Sequence, residues 1–286
     1  MTETDVIKYI GGNFESFSKR QRQIADFILS HLDRAAYMTA SQLGKSINVS
    51  ESTVVRFAAE IGFSGYHNFQ KALKEAARNQ LNSMQRMEIA TERIGTEDVL
   101  STVLKSDVEK ILLTLNEIDR EQFNAAVDTL LSAEHIYITG VRSSASLASF
   151  TGFYFNLLFD NVKLINTTGA DDIFEQLLRV GKNDAVLGMS FPRYSKHTVD
   201  ALEYAAKCGA NVIGITDSIK SPIVKYSKYC LIARSDMDSF VDSLVAPLSV
   251  VNALIVTIGM KKKKDAMSTF EKLEKIWAEY EVYDKE

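Results

Sequence analysis

The chain has 286 residues, room for one large domain or two smaller ones at roughly 100 to 200 residues each. Hydrophobic residues make up 46% and charged residues 24%, ordinary globular usage that argues against a disordered or fibrous protein. The formal net charge is −4, but residues 1–90 hold 11 Lys plus Arg against 9 Asp plus Glu while the remainder holds 22 against 28. The N-terminal part is therefore mildly basic, a weak pointer to nucleic acid that needs a motif beside it.

In chain order, the opening "MTETDVIKYI" has no basic segment leading into an apolar run, so no secretory signal is expected. Ser18 can cap a helix that carries Ile24, Phe27, Ile28 and Leu32 on one face. "TASQ", Thr39 to Gln42, has the Thr-x-x-Gln form of a capping box and starts a second helix. Asn48 suits the turn that follows, and Ser50 caps a third helix that runs to about Ile61 and stops at Gly62. Two helices joined at this spacing have the form of a DNA-binding helix-turn-helix. In the second helix Val54, Val55, Phe57, Ala58 and Ile61 are expected to pack, leaving Glu51, Ser52, Thr53 and Arg56 for a major groove, with Ser50 at the helix start. Lys19, Arg20 and Arg22 before it, Thr39 at the first cap, and His67, Lys71 and Lys74 after it would contact the phosphate backbone. Spacing alone leaves open an ordinary helical bundle whose charges are a solvated face.

The residues themselves narrow this. Val49, Ser50, Thr53, Val54, Arg56 and Phe57, followed by Gly62, Phe63, Gly65, Tyr66 and Phe69, form a pattern that resembles the N-terminal domain of the RpiR family of bacterial transcription regulators over about 60 residues. That resemblance implies a C-terminal sugar isomerase (SIS) domain that binds phosphosugars, reached through a helical linker. The expected division is 1–80 for the helix-turn-helix domain, 81–130 for a helical linker or interface, and 131–286 for the SIS domain.

Periodicity supports the second half independently. From Thr91 to Leu131 the pattern stays helical, with Val103, Val108, Ile111, Leu112 and Leu115 on an amphipathic stretch. Then "HIYITG", "NVKLINTTG", "DAVLGMS", "NVIGITD" and "YCLIARS" alternate with helix-like segments, which predicts βαβ units and a five-stranded parallel sheet. The expected fold is an all-α helix-turn-helix domain joined to an α/β domain of SIS type.

Ligands of such sheets collect beyond the carboxyl ends of the strands. Two loops there are polar: "TGVRSSAS", with Gly140, Arg142, Ser143, Ser144 and Ser146, and "SFPRYSKHT", with Ser190, Arg193, Tyr194, Ser195 and Thr198. Hydroxyls, amides, guanidinium groups and a helix N-terminus make an anion site without a metal. SIS domains often carry Ser-x-Ser-Gly-x-Thr in the second loop, where this chain has Pro192 and Arg193. Proline removes an amide donor and arginine adds a permanently charged fork, so a sugar anion would be held more by side-chain charge than by backbone. The plainer alternative is that Arg193 and Lys196 are solvated helix-start residues.

His197 is the one histidine near this loop and the candidate base if the domain were an isomerase; Asp171 and Asp172 could cap a helix or touch sugar hydroxyls, and His135 is expected to be structural. Four scattered histidines without HxH or HxxE spacing imply no metal, and no cofactor is expected. Cys208 and Cys230 lack CxxC spacing and are expected as buried thiols in a reducing cytoplasm. The apolar run Ser243 to Met260 holds Pro247, Ser249, Asn252 and Thr257, which fits a core or interface helix better than a membrane span. Lys261 to Lys264 end it, and Phe270, Leu273, Ile276, Trp277 and Tyr280 stripe a terminal helix expected to pack on a core or on a second subunit. The expectation is a cytoplasmic, homodimeric or homotetrameric regulator that reads operator DNA, responds to a small anionic sugar and has no membrane partner. A sugar-phosphate isomerase with an accessory helical domain is the alternative.

Overall fold

The computed structural model describes residues 6–77, 82–94, 98–165, 172–235 and 241–283. It divides into two compact units, Met1–Val99 with Met237–Val241, and Leu100–Asp236 with Asp242–Glu286.

The first unit is helical: α1 (Val6–Gly12), α2 (Lys19–Ser30), α3 (Leu32–Ala35), α4 (Ala40–Ser46), α5 (Glu51–Glu60), α6 (Tyr66–Ala77) and α7 (Ser83–Ile94). Its core gathers Ile10, Ile24, Ile28, Leu43, Val54, Phe57, Phe69 and Leu73, all essentially buried. Phe57 meets Phe17 and Phe69 edge to face at ring-centre distances of 5.4 and 6.0 Å, the geometry that aromatic quadrupoles prefer. The caps form as the sequence predicts. Gln42 N–H donates to Thr39 Oγ1 (3.1 Å) while Thr39 N–H donates to Gln42 Oε1 (2.8 Å), and Thr53 N–H donates to Ser50 Oγ (3.2 Å). Asn48 takes φ 56° in the α4–α5 turn and Gly62 φ 98° after α5. Gly44 has a second role: a Cβ there would stand 2.7 Å from the Val49 carbonyl oxygen, so only glycine lets α4 and α5 approach this closely.

The second unit begins with α8 (Val99–Glu117) and α9 (Arg120–Ser132) and then alternates: β1 (Ile136–Gly140), α10 (Ser144–Leu158), β2 (Val162–Ile165), α11 (Asp172–Gln176), β3 (Ala185–Met189), α12 (Lys196–Lys207), β4 (Asn211–Thr216), β5 (Tyr229–Ile232), α13 (Val245–Lys261) and α14 (Lys263–Glu279). All five predicted strands are present in one parallel sheet of order β2-β1-β3-β4-β5. Helices α9, α10 and α13 cover one face through Val127, Leu130, Phe155, Val251 and Leu254, while α11 and α12 cover the other through Ile173, Ala201, Leu202 and Ala205. The central strands β1 and β3 are buried along their whole length, as a sheet covered on both faces demands.

The apolar run expected to be a core or interface helix is α13, with Val250, Val251, Leu254 and Ile258 buried. Among the described residues no single helix is long and apolar enough to cross a membrane; α13 and α14 together meet that test only as a pair bent by 98°. At that corner Lys261 pairs with Asp128 (2.6 Å) and Lys262 lies over the Phe159 ring (4.3 Å) while donating to the Leu158 carbonyl (2.5 Å), so two of the four lysines there are structural. Of the two places the sequence leaves for the terminal helix, a core or a second subunit, the first is not taken. Ala266 alone of α14 is buried, and Phe270, Ile276 and Tyr280 are exposed, so its apolar stripe does not join the core of its own chain.

Candidate DNA-reading surface and effector site

Helix α5 presents Glu51, Ser52, Val55, Arg56 and Ala59 to solvent. This corrects the sequence reading at two positions. Thr53 is buried (6% exposed) with its hydroxyl 2.7 Å from Ser50 Oγ, whereas Val55, assigned to the core, is 39% exposed. A methyl-bearing side chain thus stands beside Arg56 on the outward face, suited to a thymine methyl as Arg is to guanine. Arg56 makes only a loose, exposed contact with Glu60 (3.9 Å), so its guanidinium is held weakly. Ser50, also exposed, spends its hydroxyl on the α5 cap, with Ser52 Oγ at 2.9 Å.

Lys19, Arg20, Thr39, His67 and Lys71 are all exposed on this unit. Arg22 is not available in the same way: its guanidinium donates to the Phe17 carbonyl (2.8 Å) and the Glu15 carbonyl (2.9 Å), tying the turn before α2. Lys74 is half-buried over the Tyr37 ring at 5.8 Å. Tyr66 is the hydroxyl that the motif buries: it donates to the Met38 carbonyl (2.8 Å), and desolvation raises its pKa.

In the second unit the two polar loops leave neighbouring strands. Gly140, the last residue of β1, pairs with Met189, the last of β3, and the strand order reverses between these two. Helix α10 leaves over one face of the sheet and α12 over the other, which opens a crevice at the carboxyl edge where such folds hold ligands. A Cβ at Gly140 would stand 2.6 Å from the Ser144 carbonyl oxygen, so glycine seats the first turn of α10 against the strand end. Arg142 takes φ 59°, Arg142 and Ser143 are exposed, and Ser144 is buried (4%).

Across the crevice, Ser190 (2% exposed) follows β3 and Thr198 (1%) lies in the first turn of α12. Among the described residues neither hydroxyl has a hydrogen-bond partner, and the same holds for Thr139 at the end of β1 and Ser221 after β4. A buried hydroxyl without a partner costs about 1–3 kcal/mol, so four near one sheet edge require an explanation. Arg193 is exposed, and neither its guanidinium nor that of Arg142 has an ion pair or hydrogen bond among the described residues. Tyr194 is turned aside: its hydroxyl donates to Asp217 (3.0 Å), a carboxylate 1% exposed that also accepts from Thr216 Oγ1 (3.1 Å). Ser195 is half-buried at the start of α12.

Sequence reasoning missed Thr139, Ser221 and the Tyr194–Asp217 tie. The "ITG" and "ITD" strand ends carried the signal, since a hydroxyl or carboxylate closing a buried strand has no apolar reason to be there. His197 is exposed. His135 lies at the opposite edge, with Nδ1 3.0 Å from Asp184, which also accepts from the backbone of His135 and Gly181, a structural clasp. Asp171 lies outside the described residues, as does the side chain of Asp172. Among the described residues no group of three or more His, Cys, Asp or Glu is arranged to hold a metal ion.

These two units define a helix-turn-helix domain joined in one chain to a parallel α/β domain of the SIS type. Residues 4–80 match the helix-turn-helix domain of the rpiR family and residues 129–257 match the SIS domain. The chain belongs to the RpiR-type transcription regulators that carry an SIS domain. An uncharacterized HTH-type transcriptional regulator of Haemophilus influenzae is 28% identical over 232 residues, 80% of this chain and 79% of that one. The sugar isomerase domain of an RpiR transcription factor from Sphaerobacter thermophilus superposes with a TM-score of 0.60 at 27% identity, covering 63% of this chain and 99% of that one. The Vibrio vulnificus NanR protein complexed with ManNAc-6P has a TM-score of 0.58 at 22% identity, covering 94% of this chain and 98% of that one.

Proposed function

We propose that this regulator acts in the cytoplasm as a homo-oligomer whose affinity for operator DNA is set by a phosphorylated or otherwise anionic sugar bound at the β1/β3 crevice. The observation that carries the reading is chemical: among the described residues, the guanidinium groups of Arg142 and Arg193 and the buried hydroxyls of Ser190 and Thr198, all on loops at one sheet edge, have no partner. An oxyanion satisfies both, taking charge-assisted bonds from the arginines and from the amides at the start of α10 and hydroxyl bonds from below. Ser143, Ser144 and Ser195 complete the rim. The NanR structure, whose bound molecule is a sugar phosphate, supports the same ligand class.

The division of labour follows the sequence reading: 1–80 reads DNA, 131–286 senses the sugar, and 81–130 transmits. Ser52, Val55 and Arg56 meet base edges in the major groove, Glu51 lies at the mouth of the groove, and Lys19, Arg20, Thr39, Ser50, His67 and Lys71 lie along the phosphates. A tenfold change in operator affinity requires ~1.4 kcal/mol of differential effector affinity between the two states. The site binds and releases its sugar without turnover, because His197, the candidate base, stands in solvent rather than in a desolvated pocket.

The test is thermal unfolding of the whole chain against sugar phosphates, amino-sugar phosphates and sugar acids, with inorganic phosphate as control. At a hundredfold excess over Kd a ligand adds about 2.7 kcal/mol. The expected hit is lost in Arg193→Ala, which leaves effector-free operator binding intact. A hit that persists in Arg193→Ala and in Arg142→Ala removes the crevice from the proposal.

A further inference from the structure

Helix α5 is held in one rotation by its inner side, where Val54, Phe57 and Ala58 are 0–1% exposed, and by the Ser50 cap at its start. Its outer side carries Glu51, Ser52, Val55, Arg56, Ala59 and Glu60. At about 100° per residue, Ser52 and Ala59 fall on nearly one line along the middle of that arc, with Val55 about 50° to one side and Arg56 about 50° to the other. The two smallest side chains thus lie where a base-pair edge comes closest, flanked by one aliphatic and one cationic side chain.

The aliphatic one is out of place by the rules that shape the rest of the unit. Val55 is 39% exposed, and among the described residues of α1 to α6 only Leu29 is another large apolar side chain exposed to this degree. Burial in the core does not account for it, and neither does helix formation, because a branched side chain loses χ1 freedom in a helix and alanine would serve better. Arg56, 68% exposed in its side chain, is held only by the loose contact with Glu60, and Glu60 also accepts from Gln21 Nε2.

We infer that Val55 reads the 5-methyl group of a thymine, and that this thymine neighbours the guanine taken by Arg56, so that each half-site of the operator holds a T·A pair beside a G·C pair. The inference rests on the reading of α5 as the helix that enters the major groove. Thymine carries the only methyl group in that groove, whereas guanine offers two acceptors, N7 and O6, that match a guanidinium fork. Val55 and Arg56 are consecutive, so they stand at nearly the same height on the helix and reach bases one step apart. The line from Ser52 to Ala59 covers about 10 Å at roughly 1.5 Å per residue, room for about three base pairs at roughly 3.4 Å each. Glu51, one turn before Val55 on the same side, repels phosphate, which directs Val55 to a base edge rather than to the backbone. A methyl group loses water against Val55; a cytosine amino group gains nothing there.

The test starts from a random-sequence DNA pool, from which the whole chain selects its site. Fluorescence anisotropy then follows duplexes in which deoxyuridine replaces each thymine of the selected site in turn, removing the methyl and nothing else. One thymine per half-site is expected to respond with about fourfold weaker binding, the worth of one buried methyl group, and to lie next to a guanine whose 7-deaza replacement also weakens binding. At that thymine Val55→Ala is expected to bind the deoxyuridine and thymidine duplexes alike while still responding to 7-deazaguanine, with unchanged circular dichroism. In wild type 5-methylcytosine at the same position is expected to bind more tightly than cytosine, and in Val55→Ala equally. Indifference of wild type to deoxyuridine at every position, or the same loss in Val55→Ala, overturns the inference and leaves α5 as the reading helix. A pool from which no sequence is enriched overturns both.

Discussion

Replacing Thr198 by valine separates the cost of the effector site from its use. The Thr198 side chain is 1% exposed and its hydroxyl has no hydrogen-bond partner among the described residues, so the effector-free protein carries an unpaired polar group worth about 1–3 kcal/mol. Valine has the same branched shape and no such group. Taking the low end, effector-free Thr198→Val is expected to be more stable by about 1 kcal/mol, a rise of roughly 2–4 °C in the melting temperature of a domain of this size. Effector binding is expected to move the other way, since a hydrogen bond to a charged ligand contributes about 1.5–3 kcal/mol, a tenfold to 150-fold weaker Kd. The assay is differential scanning calorimetry of the full chain, with and without the best sugar phosphate from the panel. A lower effector-free melting temperature would refute the argument, because it would mean that the hydroxyl is already satisfied. A stabilised variant with unchanged affinity would refute the assignment of Thr198 to the site.

Other outcomes follow from the same geometry. Arg56→Ala is expected to cost ~1–3 kcal/mol in operator affinity and to relax preference at one base pair, whereas Lys71→Ala weakens all sequences alike and lowers the salt slope by about 1; fluorescence anisotropy across a salt series distinguishes the two. Gly44→Ala forces a methyl to 2.7 Å from the Val49 carbonyl, so a loss of about 1–3 kcal/mol in urea unfolding is expected, with operator binding lost and the effector shift kept. Burial pushes the Cys230 thiol up to about 12, which leaves roughly one thiolate in ten thousand at pH 8; mass spectrometry after iodoacetamide should find Cys230 unmodified until the chain is unfolded.

The elements legible from sequence were those fixed locally. Capping at Thr39 and Ser50, the positive φ of Asn48 and the strand-to-turn rhythm of the second half depend on neighbours within a few residues, and all form as read. The exchange of Thr53 and Val55 was not legible because both sit on a helix whose apolar arc is wide, and the Thr53 hydroxyl is accommodated in burial by a hydrogen bond shared with Ser50 Oγ. Arg22 looked like its neighbours Lys19 and Arg20 until two carbonyls of a preceding turn claimed it. In α8 periodicity revealed a stripe but not its direction, which depends on Arg234 and Ser243, more than 110 residues further along the chain. At the crevice the arginines were legible as charge, while the unpartnered hydroxyls emerged only once the strand ends were side by side.

The outer margin of β5 sets a limit on how these molecules can join. Its Cys230 N–H is taken by the Gln122 side chain (2.8 Å), and just past it Arg234 N–H is taken by Thr114. Side chains of α9 and α8 thus occupy donors that another chain would need in order to add a strand, a safeguard against the runaway stacking that open sheet margins invite. At that margin, association is steered away from backbone ladders and toward side-chain surfaces, which can close on a fixed number of copies and stop.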